Sequence, residues 1–383
     1  MFVRVKTVVQ DGRSYEYLQI VRSVRDGTRV RQELVASLGR RDLLVATGQL
    51  DQLLQALARF STRLRVVEAA KDERFVAREA KSWGPALVFG RLWERQGLPA
   101  MLGRLAAGRR FGFDPERVAF ALALQRLCAP GSDLQGAAWA QTVEAPGFAD
   151  LALHHFYRTV PWLAAIRHEL ERELFFQGRD LFSGELDLGF VDTTSVDLSR
   201  DRESALIRHG YGRDRRPDLP QLVLCVAVDG QGWPVACAVL PGNTAEVEAL
   251  SLTIARFRTR FRIRRAVVVA DRGMFGRNTL AQPVFHPRDD SVIGHIVGCF
   301  LALRLEVDLQ RRLDAKGLAA PWPDLMRDLA QVQAVVVDLD GQRYRLRTEL
   351  AGSAHAGFAA AGIRPPNSVT RLGPTPATDT PDS

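Results

Sequence analysis

The chain has 383 residues, with 46% hydrophobic and 25% charged residues, so it is long enough for two or three domains with a sizeable core. The net charge of +8 and a pI near 9.8 favour a polyanionic partner, most simply nucleic acid, although an arginine-rich proteome gives the same bias. No stretch is apolar enough to span a membrane, and the N-terminus has no apolar signal core. Cys128, Cys225, Cys237 and Cys299 lie far apart and form no C-x-x-C pair, which points to a reduced, cytoplasmic protein without a zinc site.

The first forty residues predict three short strands, Phe2–Thr7, Tyr15–Val24 and Arg29–Ser37, turning at Asp11-Gly12 and Asp26-Gly27. Arg4, Arg22, Arg25, Arg29 and Arg31 make this small sheet basic, for DNA backbone contact or simply as solvated edge charges. From about Arg41 to Phe182 the pattern becomes helical. Leu50, Leu53, Leu54 and Leu57 follow helical spacing, and Asp114-Pro115 is a helix start. Ser132 or Asp133 caps the next helix, and a long amphipathic one is expected over about Phe156–Phe176. His154 and His155 just before it suit a loop or cap better than a metal.

The chemistry concentrates between Leu188 and Asp271. Leu188–Leu198 predicts a strand, and on a period-two reading Asp192 and Thr194 share a face with Leu188, Phe190, Val196 and Leu198. Thr193 and Thr194 would orient Asp192 or a water, or merely pack. Residues 199–220 form an arginine-rich connection in which Arg200, Arg202, Arg208, Arg213, Arg215 and Arg216 are phosphate-contact candidates; a solvated loop is the alternative. Gln221–Asp229 and Trp233–Leu240 predict a hairpin across Gly230-Gln231-Gly232. A helix capped by Asn243, with Glu246 at its third position, comes next. Ala266-Val-Val-Val-Ala-Asp271 then predicts a strand buried on both faces and ending in a carboxylate. An ionised carboxylate on a core-facing edge is costly unless paired or bound to a cation, and two of them on central strands suggest a shared divalent metal. The order strand, hairpin, helix, strand is the opening of a ribonuclease H-like sheet, in which the first and fourth strands are neighbours.

With these residues in view the chain resembles the DDE transposases of bacterial insertion sequences, in particular the insertion-sequence-four-like group. Tyr15-Glu-Tyr-Leu-Gln-Ile20, Val35-Ala-Ser-Leu-Gly39, Phe190-Val-Asp-Thr-Thr-Ser195, Arg216-Pro-Asp-Leu-Pro-Gln221, Pro241-Gly-Asn-Thr244 and Val269-Ala-Asp-Arg-Gly-Met274 carry the likeness, which covers most of residues 1–350. It implies metal-dependent cleavage and transfer of double-stranded DNA at transposon ends, with Asp192 and Asp271 as the first two catalytic acids and ligands of Mg2+ or Mn2+. It also implies a cytoplasmic protein, nucleoid-associated when bound to DNA, for which a homodimer is one open state.

The group's third acid is a glutamate inside Tyr-x2-Arg-x3-Glu-x6-Lys. Here only Arg272 to Ala281 lie between Asp271 and Gln282-Pro-Val-Phe-His286, which resembles sequence downstream of that glutamate. So short a segment does not hold a helix of about 11 residues and a strand of about 5. Glu306 and Glu349 are the glutamates that follow, and neither fits the signature; Glu306 falls in a helix expected to be structural. An internal deletion is therefore expected.

The fold expectation is mixed α/β: an incomplete ribonuclease H-like core, lacking the last strand and the catalytic glutamate helix, with an N-terminal β-hairpin region and a helical domain. The expected domains are 1–40 (small sheet), 41–183 (helical, DNA-binding), 184–281 (partial catalytic core), 282–360 (helix plus hairpin) and 361–383 (disordered tail). In the last two, Asp289 or Asp290 caps a helix to about Leu313, His295 packs or is exposed rather than ligating, Trp322–Leu329 is a short helix, and Val332–Leu339 pairs with Arg343–Thr348 across Asp340-Gly341. Feeble or absent cleavage follows, and the alternative function is a non-catalytic DNA-binding remnant that interferes with intact copies. A metal phosphatase acting on small phosphates is disfavoured by the basic connection.

Overall fold

The structure, a computed structural model, describes residues 1–10, 13–26, 29–58, 76–177, 187–197, 203–210, 219–229, 231–261, 265–268, 286 and 288–375. The chain divides into two units: Met1–Ala77 with Val337–Arg345 and Val369–Ser383, and Arg78–Val336 with Leu346–Ser368.

In the first unit β1 (Phe2–Gln10), β2 (Arg13–Asp26) and β3 (Arg29–Arg40) form an antiparallel meander. The register Gln10↔Arg13 leaves Asp11-Gly12 as a two-residue connection, whereas Asp26↔Arg29 puts the second connection at 27–28, one position later than its Asp-Gly pair suggests. The strands run longer than the apolar pattern because ladder bonds extend through their polar ends. Part of the basic charge is compensated locally, since Arg22 and Arg31 both pair with Glu33, while Arg4 donates to the neutral amides of Gln19 and Gln32. Two helices follow, α1 (Arg41–Ala46) and α2 (Gln49–Ala58).

A four-stranded sheet has the order β12-β11-β10-β4, with β4 (Val76–Ser82), β10 (Gln333–Leu339), β11 (Gln342–Arg347) and β12 (Val369–Pro374). Asp340 and Gly341 have φ of 49° and 71°, the positive pair that a type I′ hairpin turn requires and that Asp-Gly accommodates. Strand β12 falls where composition suggested a tail. Its pairing with β11 comes from backbone hydrogen bonding, to which composition is blind. Residues 376–383 lie outside the described residues.

The second unit is built on helices α3 (Gly84–Arg95), α4 (Leu98–Ala106), α5 (Pro115–Cys128), α6 (Asp133–Ala140), α7 (Leu153–Phe176), α8 (Glu246–Phe261), α9 (Asp289–Ala315), α10 (Trp322–Ala330) and α11 (Ala354–Ala361). Asp114 caps α5 by accepting from the Glu116 N–H at 2.9 Å, which fixes the start that Asp-Pro announces. Ser132 and Gln135 form a reciprocal capping box on α6. His155 caps α7: its Nδ1 accepts from the Ala152 N–H at 3.0 Å while its ring stacks on Phe113. Helices α5 and α9 are apolar around most of their circumference because neighbours surround them, with Phe120, Phe300, Trp93, Trp162 and Phe156 fully buried between.

Two caps differ from expectation. Helix α8 begins at Glu246 rather than just after Asn243, because the Thr244 N–H closes a turn onto the Pro241 carbonyl at 2.9 Å. Asp289 and Asp290 both lie inside the first turn of α9, behind Arg288, and Asp289 is engaged by the Ser204 hydroxyl at 2.5 Å.

Strands β5 (Asp187–Asp197), β6 (Arg208–His209), β7 (Pro220–Asp229), β8 (Pro234–Pro241) and β9 (Arg265–Val268) make the sheet of this unit. Its order is β8-β7-β5-β9, with β6 on the start of β7, and β5 pairs β9 in parallel. Leu222, Leu224 and Val226 face the helical core, whereas Cys225 and Ala227 pack with Phe257 and Phe261 of α8. Strand β7 is thus buried on both faces, as its unbroken apolar run demands.

Candidate active site

The centre of the sheet is where the first predicted acid falls. Asp192 lies on β5, between β7 and β9, at an irregularity: Phe190 pairs with Ala227 and Thr193 with Cys225, so Val191 and Asp192 together stand opposite Val226. This is a β-bulge, which bends a strand and re-aims a residue. It also corrects the uniform period-two expectation. Phe190 is opposite Ala227 and Val196 opposite Leu222, positions of opposite parity on β7, so the alternation changes phase at the bulge. Val196 therefore joins the helical core. A local periodicity cannot register an extra residue whose place is set by the partner strand.

The neighbour expected of β5 is present. Asp187↔Arg265, Leu188↔Ala266, Gly189↔Val267 and Phe190↔Val268 form the parallel ladder with β9. Asp271, predicted at the end of that strand, lies outside the described residues. Among the described residues no group of three or more His, Cys, Asp or Glu is placed to hold a metal ion.

Of the arginine-rich connection, Arg208 is described; Arg200, Arg202, Arg213, Arg215 and Arg216 lie outside the described residues. Arg208 donates to Glu203 at 3.2 Å, and the same carboxylate accepts from the His209 N–H at 3.0 Å and pairs with its Nδ1 at 2.8 Å. These donors, the His209 backbone first, lower the Glu203 carboxyl to about 2. The start of the connection is docked through Ser204 and a fully buried Ile207. Gly242, within Pro241-Gly-Asn-Thr244, is pressed against β7: a Cβ there would lie 2.0 Å from the Gln221 carbonyl oxygen, and Gln221 Nε2 donates to the Gly242 carbonyl at 2.8 Å.

Two polar clusters were not visible from sequence. Buried Glu171 of α7 accepts from the Cys237 N–H of β8 at 3.1 Å and from Arg260 of α8. An Arg-x3-Arg pair at the end of α8 was the one local hint. In the helical core Arg126 contacts His295 Nδ1 at 3.1 Å and Asp133 at 3.7 Å, and Asp133 is 3.8 Å from His286. His295 is thus a packed core residue. Glu306 is buried on α9 within the helical layer, where Arg304 also ties α9 to the β7–β8 hairpin through the Pro234 carbonyl. All four cysteines are thiols, outside any disulfide.

Comparison with known proteins gives two matches. A family model described as the IS1634 family transposase, N-terminal domain, matches residues 3–72, and one described as the Transposase DDE domain matches residues 183–293. No curated protein and no solved structure matches the chain. No helix among the described residues is long and apolar enough to cross a membrane.

Proposed function

Since the chain belongs to the DDE transposases of insertion sequences, we propose that it binds the ends of its element as double-stranded DNA, with Asp192 and Asp271 as its catalytic acids. One observation carries this reading: Asp192 sits at a bulge of the central strand β5, whose parallel neighbour β9 leads in sequence to Asp271. Past the last described pair, Phe190↔Val268, both acids follow within a few positions in sequence. Carboxylates brought to one end of adjacent strands suit a hard divalent ion, Mg2+ or Mn2+. When bound, such ions activate the attacking oxygen and stabilise the leaving oxygen of a phosphodiester displacement. In this reading the carboxylates would fix the position of that centre, and a bulge is the kind of irregularity that re-aims a residue on a strand.

The same reading includes an impairment. Residues 272–281 leave no room for the family's glutamate helix, and Glu306, the nearest later glutamate, is buried in the helical layer. The sheet then lacks its last strand, and DNA binding outlives catalysis. In the bacterial cytoplasm such a protein occupies transposon ends on the nucleoid, as a homodimer when two ends are paired, and competes with intact copies. Arg200, Arg202, Arg208, Arg213, Arg215 and Arg216 are its phosphate contacts.

The test is an oligonucleotide assay with transposon-end duplex and either metal. Expected are binding that weakens steeply with salt and little or no cleaved product. Abundant product that disappears in Asp192→Asn would retain the transposase and remove the impairment. Absence of duplex binding at low salt would sink the function itself.

A further inference from the structure

A concentration of positive charge lines a groove of about 400 Å³ between α7 and α8, floored by Cys237–Val239 of β8. Arg167 and His168 line it from α7, and Arg256, Phe257 and Arg260 from α8. We propose that this groove binds the phosphodiester backbone of DNA, with Arg167, Arg256 and Arg260 as its guanidinium donors. The inference rests on the transposase reading and adds to it a contact on the edge of the sheet remote from β9.

Charge balance is the first support. Three guanidiniums line the groove, and the acid buried beside it is Glu171. That carboxylate is committed, with one oxygen to the Cys237 N–H and the other to Arg260. Glu169 contributes a field from the exposed side of α7 but no contact with these guanidiniums. Arg256 and Arg260 stand four residues apart on one helix face, an arrangement that repels. Burial, and then the neighbouring charges of Arg167 and Arg256, oppose the attraction of Glu171 and lower the affinity of Arg260 for its proton.

Unused donor capacity is the second support. Arg167 Nη1 is buried and has no hydrogen-bond partner. A buried donor left unmade costs about 1–3 kcal/mol, so the Arg167 guanidinium is under-satisfied where it stands. Stabilising the C-terminal end of α8 by its arginines accounts for Arg258 and Arg260, but leaves Arg167 unexplained. Planar guanidiniums on two helices, over a floor of backbone and small side chains, match the forked geometry by which arginine grips phosphate.

Fluorescence anisotropy with a labelled duplex and with its separated strand, across a salt series, tests the groove. The double variant Arg167→Gln/Arg256→Gln should bind duplex roughly 5–10-fold more weakly, with a log K against log salt slope shallower by about 2, because each phosphate no longer neutralised removes about 0.9 from it. Arg256 is exposed, so Arg256→Gln alone folds and should lower the slope by about 1. Unchanged affinity and slope in folded variants would overturn the groove while leaving the function standing. An unmodified chain that binds no duplex would overturn both. Calorimetric binding of inorganic phosphate to the unmodified chain at submillimolar affinity, abolished in the double variant, would reassign the groove to a free anion and overturn the DNA assignment.

Discussion

Gly294 of α9 lies directly against Val160 of α7: a Cβ added to Gly294 would fall 1.8 Å from the Val160 carbonyl oxygen. Glycine at this point lets the two longest helices of the second unit approach through their backbones. The obstacle is a carbonyl rather than a movable side-chain tip, so relief requires shifting one helix. Gly294→Ala is expected to cost about 3 kcal/mol, at the high end for overpacking a dense core. Urea titration of the two proteins checks it; a midpoint equal to that of the unmodified chain would show that the helices slide freely.

Arg304 predicts how firmly α9 holds the sheet of the second unit. Its guanidinium is buried, donates to Gln96 Oε1 at 3.2 Å and to the Pro234 carbonyl, and lies over the Trp233 ring. Arg304→Met keeps much of the volume but withdraws the donors, leaving the Pro234 carbonyl of the β7–β8 hairpin and Gln96 Oε1 at the end of α3 without them. A loss of roughly 2–3 kcal/mol is expected. Amide exchange of β7 and β8 should accelerate more than that of α5, whose cap at Asp114 is remote from the change; uniform acceleration would argue against a local tie.

How far the sequence could be read follows from which interactions are local. The Asp114-Pro115 start of α5, the Ser132 box and the Asp340-Gly341 turn are settled within a few residues, and all are present. The adjacency of β5 and β9 was legible because strand order and apolar run length constrain the sheet. The bulge at Val191-Asp192 was not, since it is a mismatch of register with β7. Nor were the partners of Glu171 and Asp133, which lie on other elements far along the chain. Helix α8 starts late for a similar reason: Asn243 has good capping chemistry, yet the turn at Pro241 and the wedge of Gly242 against β7 fix the backbone there first.

Acid should destabilise the helical core through its histidines. Burial, then the Arg126 charge, then His286, hold His295 well below its ordinary value of 6.5. His286 is lowered in the same sense by burial, against the pull of Asp133. Both remain neutral in the folded chain while the unfolded chain takes up protons, so stability is full above 6.5 and is lost as pH falls through it. Asp133, raised above 3.8 by burial, works in the opposite sense, gaining stability as pH falls through its elevated value. The histidines set the slope wherever Asp133 keeps its charge. His295→Gln retains an acceptor for Arg126 and removes one titrating group, so the pH slope of stability should flatten by up to about 1.4 kcal/mol per pH unit. Parallel slopes for the two proteins would exclude His295 as the source.

Glu203 restrains an arginine assigned to DNA. Its carboxylate, charged at any pH above about 2, holds Arg208 at 3.2 Å and the Nδ1 and backbone N–H of His209 at 2.8 and 3.0 Å. A phosphate must compete with that acid for the Arg208 guanidinium. Glu203→Gln keeps an oxygen for the His209 N–H and removes the charge, so Arg208 is released without disturbing the turn. The ion pair is exposed, and its loss should not measurably change stability. Duplex affinity at moderate salt should instead rise about 2–5-fold, with a salt slope steeper by about 1 as one more phosphate is neutralised. If affinity and slope stay as in the unmodified chain, Arg208 points away from the DNA and the phosphate contacts of this connection lie elsewhere along it.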